Sequence, residues 1–186
     1  MKTVFYNGII FTGEKFAGDG YVQVDGRKIT AVGNGVFNPG NLSNNVTPTF
    51  VDLQSGYLVP AFIDIQLYGG HKQLFGEHPS VEALKATVKY SFEGGATHIL
   101  PTVATNSPQI MHAAIEAVRD YWQQGLPGVI GLHLEGPYIN PERRGAHIVE
   151  FIKQPTLQEA EALMQKGKGI IKMMTLAPEV CPPEVI

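Results

Sequence analysis

Four apolar runs, Ala61–Gln66, His98–Val103, Val129–Glu135 and Ile170–Leu176, begin 31 to 41 residues apart. That spacing is the length of a strand, a loop and a returning helix, so the chain predicts repeated βα units with parallel strands. Helical patterns fill the intervals. Ser80 precedes a stripe of Val81, Leu84, Val88 and Phe92 that closes at Gly94-Gly95. Ser107-Pro108 reads as an N-cap followed by proline at the first helical position. The helix it opens carries Ile110, Ala114, Ala117 and Tyr121 and stops at Gly125. Thr156 and Glu159 form a capping-box pattern before Leu157, Ala160 and Leu163-Met164, with Gly167 at the end.

Residues 1–56 follow a different regime. Asn7-Gly8 reads as a turn pair inside the apolar run Val4–Phe11. Alternation at Tyr21–Val24 and again at Lys28–Val32, with Asp25-Gly26 between, predicts a hairpin linked by Asp-Gly. Residues 37–49 read as loop, and Phe50–Leu53 as another strand. The expected fold class is therefore α/β. Residues 1–56 form a small β-sandwich module, incomplete in itself. Residues 57–186 form the first four βα units of a (β/α)8 barrel. A doubly wound sheet has a similar pattern, but no Gly-x-Gly-x-x-Gly follows the first strand. Pro182–Ile186 reads as the start of a fourth helix. A barrel closes on eight strands, and half of one leaves edges and apolar faces open. The expectation is a polypeptide about twice this length, or two such pieces in association.

Charge and composition narrow the function. With 14 basic and 17 acidic residues the net charge is −3, and only Arg143-Arg144 sets two positive charges side by side. Nucleic-acid binding normally needs a basic excess, so it is not expected. A single cysteine, Cys181, allows no internal disulfide and fits a reducing compartment. With neither a signal-peptide core nor a bilayer-length apolar run, the expected location is cytoplasmic, away from membranes. Asn45-Val46-Thr47 matches a glycosylation acceptor only by chance on that reading.

In a βα barrel the reactive groups sit where strands end. The third apolar run ends in His133-Leu134-Glu135. Side chains alternate along a strand, so His133 and Glu135 share one face, and Leu132 and Leu134 pack on the other. A carboxylate at the mouth of an apolar barrel is costly unless paired or bound to a cation. From these two residues alone, a hydrogen-bonded core pair and a metal ligand both remain open; carboxylate and imidazole both suit zinc.

The loop extends the pattern. His133-Leu134-Glu135-Gly136-Pro137-Tyr138-Ile139-Asn140-Pro141-Glu142-Arg143-Arg144-Gly145-Ala146-His147 resembles the signature of N-acetylglucosamine-6-phosphate deacetylases, in the amidohydrolase superfamily. Leu58–Asp64, with Ala61 where the family usually has glycine, resembles its first barrel strand. Gly95–Thr97 through Pro101-Thr102 resembles the second, and Thr175–Glu179 the fourth. The resemblance spans nearly the whole chain but only the N-terminal half of a family member.

The resemblance implies the chemistry. Glu135 becomes the carboxylate ligand of one divalent metal, zinc by expectation. Ala146, through its backbone, and His147, through its imidazole, contact the amino-sugar phosphate. The implied reaction converts N-acetylglucosamine 6-phosphate to glucosamine 6-phosphate and acetate. The general-base Asp, two His ligands and the phosphate-binding groups are expected beyond Ile186, partly from a partner subunit of a homodimer. No catalytic residue is therefore expected within this chain, and alone it should be inactive. Many amidohydrolases carry His-x-His at the end of the first strand and hold two metals. Here Gln66-Leu67-Tyr68 stands instead, so one metal is expected. Gln66 either lines the substrate pocket or hydrogen-bonds within the barrel. His71 is a solvated loop residue or a substrate contact, and His78, His98 and His112 read as structural. Two alternatives stand beside this reading: another amide or imide hydrolase of the superfamily, and a non-catalytic barrel that has lost a metal site.

Overall fold

The computed structural model describes residues 1–38 and 48–186. The Asn45-Val46-Thr47 match and most of the loop read at 37–49 lie outside the described residues. The chain divides into two compact units, Met1–Pro60 and Ala61–Ile186.

The first unit is a five-stranded sheet of β1 (Lys2–Phe11), β2 (Phe16–Asp25), β3 (Lys28–Asn34), β4 (Thr49–Asp52) and β5 (Tyr57–Leu58). The order is β3-β2-β1-β4, with β5 also on β1. Strands β1–β3 meander antiparallel, whereas β4 and β5 run parallel to β1. Among the described residues these strands make one sheet, not the two layers of a sandwich. The hairpin stands where alternation placed it, but Asp25 pairs with Lys28, so the linking residues are Gly26-Arg27. Gly26 has φ +59°, the left-handed geometry a two-residue turn demands. Asn7-Gly8 is a bulge and not a turn: the β1–β2 register shifts between Phe5 and Gly8. Asn7 tolerates its φ of +57° while its Nδ2 donates to Asp52 Oδ1 at 2.8 Å.

The second unit contains β6 (Phe62–Leu67), β7 (Gly69–Gly70), β8 (Gln73–Leu74), α1 (Val81–Glu93), β9 (Ala96–Ala104), α2 (Pro108–Gln123), β10 (Leu132–Glu135), α3 (Leu157–Lys166) and β11 (Ile171–Thr175). Strands β6, β9, β10 and β11 form a parallel sheet in chain order, with no reversal of winding. Each helix start uses the cap expected of it. Ser80 accepts from Ala83 N, Ser107 from Ile110 N with Pro108 behind it, and Thr156 and Glu159 complete the capping box. The core fills the space between the sheet and α1 and α2. Leu132 and Leu134 of β10 pack there with Ile99, Val103, Leu84, Ile115 and Val118. Two polar tips are satisfied from within: Tyr121 donates to Pro127 O at 2.7 Å and Trp122 Nε1 to Val129 O at 2.8 Å. The antiparallel pair β7–β8 was not legible as strands. Phe62, Ile63 and Ile65 of β6 are exposed. Among the described residues, no helix is long and apolar enough to cross a membrane.

Candidate active site

Burying Leu132 and Leu134 under the helices turns His133 and Glu135 to the opposite face. His133 is 1% exposed and fully bonded. Its Nδ1 lies 3.0 Å from Ile65 O of β6, and its Nε2 lies 2.8 Å from Thr175 Oγ1 of β11. A carbonyl can only accept, so Nδ1 carries the proton and Nε2 accepts from the Thr175 hydroxyl. Desolvation pushes the His133 pKa below the usual imidazole value, against smaller upward pulls from Ile65 O and the Glu135 charge. His133 is thus a neutral strut across the sheet.

Glu135, two residues on, is mostly buried, its side chain 17% exposed. Gln66 Nε2 donates to Oε1 at 3.1 Å, and the Tyr68 hydroxyl donates to Oε2 at 2.5 Å. Gln66 Nε2 also donates to the Tyr68 oxygen at 2.6 Å. Burial, then the hydrogen bond to Glu135, raises the Tyr68 pKa, keeping the phenol protonated as donor. Among the described residues no lysine or arginine pairs with Glu135. Its nearest cationic candidate is His147, whose Nε2 lies 3.9 Å from Oε1.

His147 reaches this point through the loop after β10. Its Nδ1 sits 2.7 Å from Thr105 Oγ1, just past the end of β9. A cavity of about 200 Å3 opens beside it, lined by Tyr68, Leu74, Glu77, Thr105, Ala146 and His147. Residues from four separated stretches of sequence therefore meet where the parallel strands end. A larger cavity of about 600 Å3 lies between α2 and α3 and includes neither Ala146 nor His147.

The site brings together Gln66, Glu135, Ala146 and His147. It leaves other histidines out. His71 pairs with Glu93 at 3.1 Å and stacks edge-on to Tyr90, on the α1 side. His78, His98 and His112 are exposed. Tyr68 and Thr105 were not singled out as site residues. Tyr68, just past the end of β6, is one alternation on from Gln66, a signal available in the chain; Thr105 had none.

A metal can be tested against these donors. Among the described residues no group of three His, Cys, Asp or Glu side chains is clustered to hold an ion. A catalytic zinc takes three protein ligands and an open position. Glu135 offers one carboxylate, already hydrogen-bonded at both oxygens, so these residues fit part of a metal site and not a whole one.

Fold and site define an α/β protein whose polar cluster lies at the carboxyl ends of a parallel sheet, the usual place for an enzyme centre. Its likeness is to the deacetylases of N-acetylated amino-sugar 6-phosphates. The N-acetylglucosamine-6-phosphate deacetylase of Haemophilus influenzae is 32% identical over 179 residues, 96% of this chain and 45% of its own length. The N-acetylgalactosamine-6-phosphate deacetylase of Shewanella sp. is 37% identical over 134 residues, 72% of this chain and 34% of its own. The crystal structure of the Pasteurella multocida N-acetylglucosamine-6-phosphate deacetylase superposes with a TM-score of 0.85 at 31% identity, covering 96% of this chain and 45% of that one. The chain thus spans less than half the length of these relatives. No family model matches it.

Proposed function

We propose that this chain is part of a metal-dependent hydrolase that removes the N-acetyl group of N-acetylglucosamine 6-phosphate, yielding glucosamine 6-phosphate and acetate. The observation that carries the reading is the Glu135 carboxylate at the end of β10, unpaired with any lysine or arginine among the described residues and set against Tyr68 and His147, which line the cavity. Residues 57–186 are the first four βα units of a (β/α)8 barrel, and residues 1–56 an incomplete β module before it. The chain-order parallel sheet supports this. So does His133 reaching Ile65 O past the intervening β9, which requires a curved sheet.

In this reading Glu135 supplies one ligand of a single zinc ion. Ala146 and His147 contact the sugar, and Gln66 with Tyr68 orients the carboxylate. Held there with the remaining ligands, zinc would supply Lewis acidity towards an amide carbonyl and towards water. The remaining ligands, the general-base Asp and the phosphate-binding groups lie outside these 186 residues. The full polypeptide works in the cytoplasm as a homodimer. A second reading concerns the sugar: the 37% identical relative is named for N-acetylgalactosamine 6-phosphate. Nothing in residues 133–147 pointed to that epimer.

Acetate release by the full-length polypeptide, measured with zinc on both epimers with and without the 6-phosphate, tests the substrate. No release from either phosphorylated sugar refutes the deacetylase reading. The 186-residue chain alone, with zinc added, should show no turnover.

A further inference from the structure

We infer that Thr105 is a positioning residue: its hydroxyl donates to His147 Nδ1 and so holds the imidazole with its Nε2–H facing the Glu135 carboxylate. The inference rests on reading the region around Glu135 and His147 as the substrate site.

Thr105 is 1% exposed, and its Oγ1 has two neighbours: His147 Nδ1 at 2.7 Å and Glu135 O at 3.3 Å. A hydroxyl has one proton and a neutral imidazole has one N–H, so two arrangements are open, and only the first makes both contacts hydrogen bonds. In the first, Nδ1–H donates to Thr105 and Thr105 donates to Glu135 O. The bare Nε2 lone pair then faces the Glu135 carboxylate, whose Oε1 is 3.9 Å away. In the second, Thr105 donates to Nδ1, the long contact to Glu135 O is given up as a hydrogen bond, and Nε2–H faces that carboxylate.

Two features select the second. The 2.7 Å contact is shorter than the usual N–H···O bond of about 2.9–3.0 Å, and the 3.3 Å contact is longer than an O–H···O bond normally runs. The carboxylate attracts an N–H and repels a lone pair, in a pocket where screening is reduced. The outcome is a ring that offers a donor, not an acceptor, to an oxygen of the ligand. His133 has the opposite tautomer because its Nδ1 meets a carbonyl. The two histidines around Glu135 are therefore set to different tautomers by different partners, the usual way a fold fixes an imidazole.

Gly136 is shaped to the same contact. It has φ +94°, and a Cβ there would overlap Thr105 Oγ1. The glycine after Glu135 thus leaves the room that Thr105 needs.

Long-range 1H–15N correlation spectra of the full-length polypeptide at about pH 8, where a free imidazole is neutral, read the tautomer directly. The expected His147 signal has Nε2 protonated and Nδ1 bare. Thr105→Val should turn this into a tautomer mixture, and Thr105→Ser should restore it. In the full-length enzyme Thr105→Val should cost roughly tenfold or more in kcat/KM, the scale at which outer partners of a site histidine act, with Thr105→Ser recovering most of it. A protonated Nδ1 in the unsubstituted chain overturns the inference, as does a tautomer indifferent to Thr105→Val. If the valine variant does not fold, the unsubstituted and serine spectra decide. An inactive full-length enzyme with the expected tautomer counts against the deacetylase reading and not against this one.

Discussion

The Tyr68 hydroxyl donates to Glu135 Oε2 across 2.5 Å, although β6, which ends just before Tyr68, and β10, which carries Glu135, are separated in the sheet by β9. With Gln66 on the other oxygen, the carboxylate is met by two neutral donors. Its charge is therefore tolerable here without a cation, and its place as a ligand rests on the site and on likeness to the deacetylases. Outer hydrogen bonds orient a ligating carboxylate, and losing one typically lowers metal affinity by about 10–100-fold. Tyr68→Phe in the full-length enzyme should fall in that range, measured by zinc competition with a chelating dye. Unchanged affinity would reduce Tyr68 to part of the pocket wall.

Glu135→Ala is the sharper substitution. In the full-length enzyme it should lose bound metal and turnover together, by elemental analysis and acetate release on the same sample. A variant with full metal content and no activity would show that Glu135 serves the reaction in another way.

His133 makes a pH prediction. Desolvation depresses its folded pKa below the unfolded value of about 6.5. The unfolded chain therefore takes up a proton first as pH falls, so the neutral form's contribution is fully present above about pH 6.5 and is lost towards the lower folded pKa. Stability should decline with acid across that window, and His133→Gln should flatten the slope. His133→Ala should cost about 3 kcal/mol, because it opens a cavity and strips Thr175 of its acceptor. Urea unfolding at several pH values measures both, and an unchanged slope would mean His133 titrates alike in both states.

What was legible in the chain is local. Strand runs with helical stripes between them, the caps at Ser80, Ser107 and Thr156, and the alternation of Leu132 and Leu134 against His133 and Glu135 are set by neighbours a few residues apart. What was not legible depends on register and curvature. His147 meets Thr105 across 42 residues, and Gln66 meets Glu135 across 69. Such contacts follow from how far β6, β9 and β10 slide past one another, which packing decides after the strands form. Strands as short as β7 and β8 are too brief to show a period. Asn7 was misread because a positive-φ residue serves a bulge as well as a turn.

Helix α3 has no buried residue, so its terminal bonds matter more than its packing. Thr156→Ala removes the acceptor for Glu159 N and should cost about 1 kcal/mol. Amide exchange should rise first within Leu157–Lys166. Acceleration spread evenly over α1 and α2 would mean that α3 opens only with the whole unit.

Gly136→Ala separates two costs that coincide at one position. The backbone there has φ +94°, which for an L side chain costs on the order of 1–3 kcal/mol. The new Cβ also meets Thr105 Oγ1, and forced overlap in a packed site costs about 1–3 kcal/mol more. The single substitution should therefore destabilise by about 3 kcal/mol or more in urea unfolding. Thr105→Ala removes the oxygen but leaves the backbone strain. In that background the cost of Gly136→Ala should fall by about 1 kcal/mol or more, a coupling that a double-mutant cycle reads directly. Additive costs would mean that the loop moves aside, and that glycine is needed at this position for its backbone alone.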